Sequence, residues 1–260
     1  MAQQRSTKPA ARRAAEILYG RHAVLETLRA GRRAVHRVML GQGVQQQAEI
    51  IGEIVAAARQ RDCPVLEVGR SALDAAGGVN HQGVIAETGL YPYVELEQAI
   101  RAADAPLCLI LDHLQDVQNL GTLLRTAEAM AVTGVLLPDR RAAGITPAVV
   151  NASAGAVEHL RIAQVTNLTQ TLERLKKAGF WVVGLDAAPG ATPLARADLS
   201  GPLALVVGAE GAGLSRLVHD ACDWLVAIPM YGRVASLNAA VAGSIVLQAA
   251  QEARMRRSQP

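Results

Sequence analysis

From Pro106 onward the chain repeats one arrangement: a short run that is apolar at every position, a polar turn, then a segment whose apolar residues recur every three or four positions. LCLILD precedes NLGTLLRTAEAMAV, GVLLP precedes AVVNASAGAVEHL, and RIAQV precedes LTQTLERLKKAG; FWVVGLD, LALVVG and WLVAIPM follow. A strand with no polar face must be covered on both sides. Strands alternating with helices meet that demand as a mostly parallel sheet between two helical layers. The fold class is α/β, and ligands of such sheets bind beyond the carboxyl ends of the strands.

The preceding segment reads as a smaller α/β unit. YGRHAVLETLRAG is a helix closed by Gly31, VHRVML a strand, QQQAEIIGEIVAAARQRD a helix, PVLEV a strand and, after the turn-rich AAGGVN, HQGVIAET another strand. The expected organisation is a basic, disordered tail over residues 1–16, a small domain over 17–91, a linker over 92–105 carrying the short helix VELEQAIRAAD, and a second domain over 106–260.

Half of the residues are hydrophobic and 19% are charged, enough for one large core or two modest ones. No stretch reaches the roughly 20 apolar residues of a membrane span, and the N-terminus lacks the apolar core of a secretory signal; a soluble cytoplasmic protein is expected. Cys63, Cys108 and Cys222 lie far apart in apolar surroundings and read as reduced core residues rather than metal ligands. The net charge is +3, with the excess at the ends: Arg5, Lys8, Arg12 and Arg13 against Glu16, and Arg254, Arg256 and Arg257 after Glu252. Such arms suit a polyanion, whose condensed counterions they displace, or are solvated tails.

Three polar stretches follow apolar strands: LILDHLQDVQNLGTLLRTAEA, LVVGAEGAGLS and IPMYGRVASLN. The middle one is neither G-x-G-x-x-G nor a P-loop, and Glu210 within it would repel a pyrophosphate, so the loop suits a ligand with donors or positive charge. The last runs into GRVASLNAAVAGSIVLQAA, uncharged after Arg233. It reads as a helix buried on every side, with Ser236 as its N-cap. Asn238 then carries an amide near a core, which is costly without partners.

Taken together, LD-x-x-x-D-x-x-N-x-G-x-x-x-R-T-A, LVVGAEGAGLS and IPM-x-G-x-V-x-SLN-x-A-V-A, in this order, resemble the SpoU family of RNA ribose 2′-O-methyltransferases. YGRHAVLETLRAGRRAVHRVML and NHQGVIAE resemble the substrate-binding domain of family members that methylate a guanosine in the peptidyl-transferase loop of 23S ribosomal RNA. The resemblance implies a trefoil-knotted, SPOUT-type parallel-sheet methyltransferase domain preceded by a small L30e-like RNA-binding domain. It also implies S-adenosylmethionine as cofactor, a homodimer formed through the methyltransferase domain, 23S ribosomal RNA as partner, and no metal, membrane or DNA. By motif position Gly208, Ile228 and Leu237 would contact the methyl donor, while Asn119, Arg125, Glu210, Ser236 and Asn238 would form the catalytic constellation.

A ribose hydroxyl is a weak acid, so its oxygen must be positioned in line with the methyl group and its proton removed or masked. A guanidinium stays protonated in proteins; Arg125 therefore reads as a group that fixes an RNA phosphate and stabilises developing charge, with phosphate or water taking the proton. Val117 and Asn151 stand where the family commonly has Pro and Lys. Aromatic residues are only 3% of the chain, which points to recognition by Arg and Lys contacts and RNA shape rather than extensive base stacking. The alternatives are the same chemistry on tRNA or another ribosomal site, or a non-catalytic RNA-binding or ribosome-assembly protein.

Overall fold

The structure, a computed structural model, describes residues 15–44, 49–75, 77–101, 105–140 and 142–257. The first unit comprises β1 (Ala15–Tyr19), α1 (Arg21–Ala30), β2 (Val35–Gly41), α2 (Glu49–Arg59), β3 (Val65–Val68), α3 (Arg70–Asp74) and β4 (Val84–Gly89). Its four strands are ordered β1-β4-β2-β3; β4 runs antiparallel to β1 and β2, and β2 parallel to β3. The core between this sheet and its helices contains Val24, Leu28, Val38, Leu40, Ile51 and Ile54. Gly31 closes α1 in the left-handed conformation, φ 61°, its N–H reaching the Thr27 carbonyl.

Two expectations need correction here. The helix expected to include Tyr19 begins at Arg21, because the preceding residues form β1, with Ile17 opposite Glu87 and Leu18 opposite Ala86. Ala15 and Glu16, assigned to the disordered tail, are therefore sheet residues. The rest of that tail, 1–14, lies outside the described residues, as do positions 45–48 and 102–104 of two expected helices.

The second unit comprises α4 (Leu96–Ala99), β5 (Leu107–Asp112), α5 (Val117–Ala129), β6 (Gly134–Pro138), α6 (Pro147–Ala152), β7 (Ile162–Val165), α7 (Leu168–Lys177), β8 (Trp181–Leu185), β9 (Thr192–Pro193), β10 (Leu203–Gly208), α8 (Arg216–Asp220), β11 (Trp224–Ala227) and α9 (Ala239–Arg257). The seven-stranded sheet has the order β7-β6-β5-β10-β8-β11-β9, and its neighbours pair in parallel. Alternate residues serve opposite faces. Leu109, Leu111, Leu205 and Val207 pack with residues of α5, α6 and α9, while Cys108, Ile110, Ala204 and Val206 pack with residues of α4, α7 and α8. This double cover explains the unbroken apolar runs. Burial pushes the Cys108 and Cys222 thiols up to about 12 and raises that of Cys63, so all three stay protonated.

The linker expected over 92–105, with its short helix, packs on the second unit as α4: the Val94 N–H reaches the Ile162 carbonyl at 2.9 Å, and Leu96 and Ala99 are buried against the sheet. The helix expected over AVVNASAGAVEHL is broken. After α6 the chain turns through Ala154 and Gly155, both at positive φ, into a 3-10 turn over Ala156–His159. A Cβ on Gly155 would lie 2.9 Å from the His22 carbonyl oxygen and 2.6 Å from the Cβ of Glu26, so the break makes room for α1.

The C-terminal helix also differs from its reading. α9 starts at Ala239 and runs to Arg257, and it is not covered all round: Val241, Ile245 and Met255 are exposed along one side. Arg254, expected on a basic arm, is buried. Its guanidinium donates to the carbonyls of Ala105, Leu199, Ala250, Pro106 and Gly201 and ties the helix end to the start of β5.

The two units are joined by a buried network. The Arg33 guanidinium donates to both oxygens of Glu158, at 3.1 and 2.5 Å, and to Glu16 at 2.7 Å, with the Arg33 and Glu158 side chains only 1% and 0% exposed. The Tyr91 hydroxyl spans the Val157 and Leu160 carbonyls, and Arg32 donates to the Leu160 and Pro92 carbonyls. Asn151, at one of the two positions that depart from the family pattern, donates to the Tyr19 carbonyl at 3.0 Å. Leu18 and Ala23 of the small unit belong to the large unit's core. Removing Glu158 would strand a buried guanidinium. Glu158→Ala is expected to cost about 3–5 kcal/mol of unfolding free energy in a urea titration, whereas Arg37→Ala, at an exposed pair with Glu87, should cost under about 1 kcal/mol.

Candidate active site

At the carboxyl ends of β8, β10 and β11 a cleft of about 600 Å³ opens, closed on one side by residues 235–239 leading into α9. Its floor is set by the turn after β10. Ala209 and Gly213 exchange N–H···O bonds of 3.1 and 2.9 Å, and a Cβ on Gly208 would lie 2.2 Å from the Gly213 carbonyl oxygen. Gly208 is thus needed for the loop to fold back on itself. Farther along the loop, the Ser215 N–H donates to the buried Asp112 carboxylate at 2.6 Å, which pins it to the end of β5.

Three residues meet across this junction. The Asn119 amide donates to Glu210 at 2.8 Å and accepts from the Asn238 amide at 2.8 Å, giving a continuous line from Asn238 through Asn119 to Glu210. Asn119 and Asn238 are each tied to a helix start. The Asn119 N–H donates to Asp116, the N-cap of α5, at 2.7 Å, and the Asn238 Oδ1 accepts from the N–H groups of Ala240 and Val241 at 2.9 and 3.2 Å. Asn238, not Ser236, therefore caps α9, and the costly amide finds its partners in the cap and in Asn119. Ser236 lines the cleft, is exposed, and makes no hydrogen bond among the described residues.

Gly208, Glu210, Ile228, Ser236, Leu237 and Asn238 all line the cleft. Arg125 does not join them. It is exposed on α5, six residues beyond Asn119, which places it about 9 Å along the axis and a third of a turn round. Asp112 and Asp186 were not singled out in the sequence. Asp186 stands in the cleft wall just past β8, and each Asp directly follows an apolar strand run, a signal that was present for both.

The lining tests the expected cofactor. Leu185, Val207, Ile228 and Leu237 offer an apolar surface, glycines and alanines let a ligand approach backbone, Asp186 and Glu210 supply carboxylates, and no Lys or Arg is among the lining residues. Such a site suits a cationic, partly apolar ligand and disfavours a polyphosphate. S-adenosylmethionine, with its sulfonium and ammonium charges and adenine ring, fits this set.

The SpoU rRNA methylase family model matches residues 106–248. The chain belongs to that family. A second model, RNA 2′-O ribose methyltransferase substrate binding, matches residues 17–94 of this SpoU chain. YacO of Bacillus subtilis (strain 168), assigned to the TrmH family tRNA/rRNA methyltransferases, is 41% identical over 236 residues, covering 89% of this chain and 93% of YacO. An rRNA methyltransferase from Sinorhizobium meliloti, solved with AdoMet (S-adenosylmethionine) bound, superposes with a TM-score of 0.75 at 27% identity, covering 92% of this chain and 87% of its own. AviRb of Streptomyces viridochromogenes, a SpoU methyltransferase also solved with AdoMet, shares the fold at a TM-score of 0.77 and 22% identity over 93% of this chain and 91% of AviRb. Because the loop of this SpoU chain has no room for a Cβ at Gly208, Gly208→Ala is expected to cost about 1–3 kcal/mol of unfolding free energy, the range typical of overpacking, and to weaken S-adenosylmethionine binding by displacing the loop. A urea titration would check the first effect, and isothermal titration calorimetry on folded variant the second.

Proposed function

We propose that this chain methylates the ribose 2′-hydroxyl of a guanosine in the peptidyl-transferase loop of 23S ribosomal RNA, in the cytoplasm, using S-adenosylmethionine. The observation that carries the reading is the Asn238–Asn119–Glu210 line at a cleft lined for a cation. S-adenosylmethionine would supply an electrophilic methyl group on its sulfonium. The line fixes which way each amide faces, because both faces of Asn119 are committed, and it leaves Glu210 one carboxylate oxygen not bonded to Asn119 that can accept a hydrogen bond from the ribose hydroxyl. Ser236, exposed in the cleft, offers a further hydroxyl to the ribose. Arg125, exposed and outside any ion pair among the described residues, is available to an RNA phosphate, and the hydroxyl proton passes to phosphate or water. Gly208, Ile228 and Leu237 are the donor contacts in this reading.

The acting species is a homodimer with a knotted methyltransferase domain. Val241, Ile245 and Met255 expose an apolar stripe along α9, their spacing of four and ten residues keeping them on one side of a helix. A second copy would cover the stripe. Insertion of β10 between β5 and β8, both earlier in the chain, followed by α9 packing on α5, supports the threaded path; knots are rare exceptions to ordinary connectivity. The small domain supports ribosomal RNA over tRNA.

Mapping 2′-O-methylation across total RNA from a deletion strain tests the address: loss of the mark in the 23S peptidyl-transferase loop is expected. Loss of a tRNA mark with that loop unchanged would move the target. Arg125→Ala is expected to lower methyl transfer by about a hundredfold or more while leaving donor binding intact; loss of donor binding would count against its phosphate role. Ile245→Glu should convert the dimer to monomer by sedimentation velocity.

A further inference from the structure

The small domain has a second concavity, of about 700 Å³, far from the methyl-transfer chemistry in sequence and lined by Gly41, Gln42 and Val44, by Arg70, Leu73 and Asp74 of α3, and by the loop 78–83. Resting on the RNA reading above, we infer that this groove holds one unpaired nucleotide of the RNA substrate, its base stacked on the His81 ring and its edge read by the amides of Asn80 and Gln42.

His81 lines the groove with its ring held on both sides. Its Nδ1 accepts the Gly83 N–H at 2.9 Å, so the proton of the neutral ring lies on Nε2, which meets Asp74 at 3.1 Å. Both ring nitrogens are thus occupied by the protein, and the ring surface is what remains for a ligand. The side chain is still 15% exposed. Stacking on His is one of the ways proteins take splayed RNA bases, and His81 carries the one ring among the residues that line the groove.

The surrounding loop is held in shape before any ligand arrives. Gln82 sits at φ 51°, a left-handed conformation uncommon outside glycine. It is clamped there by Arg21, whose Nε donates to the Gln82 carbonyl at 3.1 Å. Gly83 is at φ 80°, and a Cβ on it would lie 2.6 Å from Val44, so the loop and the turn after β2 are in close contact. Leu73 and Val44 give the groove an apolar floor.

Polar groups stand at the mouth. Gln42 and Asn80 are exposed and make no side-chain hydrogen bond among the described residues, and an amide presents the donor and acceptor pair that a base edge requires. Arg70 is 89% exposed, and its contact with Asp74 is long at 3.8 Å, so its guanidinium is available to the nucleotide's phosphate. Asp74 is shared between Arg70 and His81, which offsets the one carboxylate that would repel RNA.

The test uses the full chain and total RNA from a strain lacking the gene, so that ribosomal and transfer RNA compete as substrates. Asn80→Ala combined with His81→Leu, and separately Arg70→Ala, are assayed for tritiated methyl transfer, for S-adenosylmethionine affinity and for thermal unfolding. The double variant is expected to raise KM for RNA about tenfold, the size of losing one stacked base, with kcat at saturating RNA and donor affinity unchanged. Ultraviolet cross-linking of the wild-type protein should join the peptide carrying residues 77–83 to a nucleotide other than the methylated one. KM unchanged in an active double variant would overturn the groove proposal alone. Wild-type protein that binds donor but methylates no RNA would overturn the functional reading and the groove with it. Should the double variant unfold, Asn80→Ala alone with Gln42→Ala decides, by the same KM criterion.

Discussion

The cleft depends on one strand pairing. β10 lies in parallel register on β5, from Leu203 opposite Leu107 to Gly208 opposite Asp112, and both strands are buried on both faces. In a strand with two covered faces, a slip of one residue exchanges every side chain between two differently packed layers. The register is therefore held by the whole core rather than by any local contact. It puts the end of β5, with the loop leading to Asn119, beside the end of β10, with the loop carrying Glu210. Asp112 and Ser215 close the junction from beneath, and the start of α9 delivers Asn238 from above. A hydrogen-bonded line drawn from three distant parts of the chain becomes possible only once that pairing exists.

A second constraint governs how the small domain serves the site. Arg33 and Glu158 form a nearly inaccessible ion pair across the boundary, supported by Glu16, Tyr91 and Arg32. A buried pair adds little net stability over an apolar contact, but separating its members leaves charge without solvent or partner. The contact thus favours one docked arrangement. Joined with the shared core residues Leu18 and Ala23, it gives the groove beside His81 a fixed span to the cleft at the end of β10.

Much of this architecture could be read from the sequence because local pattern and tertiary demand coincide there. Strands apolar on both faces have few alternatives to a covered parallel sheet, and the Gly31 stop follows from short-range geometry, whereas α5 starts two residues before the expected Asn119, at Val117, because Asp116 caps it. Where the sequence misled, a distant neighbour decided. Ala15–Tyr19 is too short and mixed to declare itself a strand until β4 lies beside it. The helix after Thr146 breaks because α1 crosses at Gly155. Arg254 resembles a surface arginine among its basic neighbours, yet four carbonyls from other parts of the chain, with that of Ala250 in its own helix, enclose its guanidinium.

The site divides the same way. By itself the sequence determined the residue types and their order: Asn119 after a strand, Glu210 within a glycine-rich turn, Ser236 and Asn238 before a helix, and from these the family and its chemistry. Only the tertiary structure decided that Asn238 rather than Ser236 caps α9, that Asn119 stands between Asn238 and Glu210, that Arg125 lies outside the cleft lining, and that Asp112 holds the loop. The reason is physical: a motif records what a residue can donate or accept, whereas its partner is chosen by sheet order and helix packing, which depend on the whole core at once.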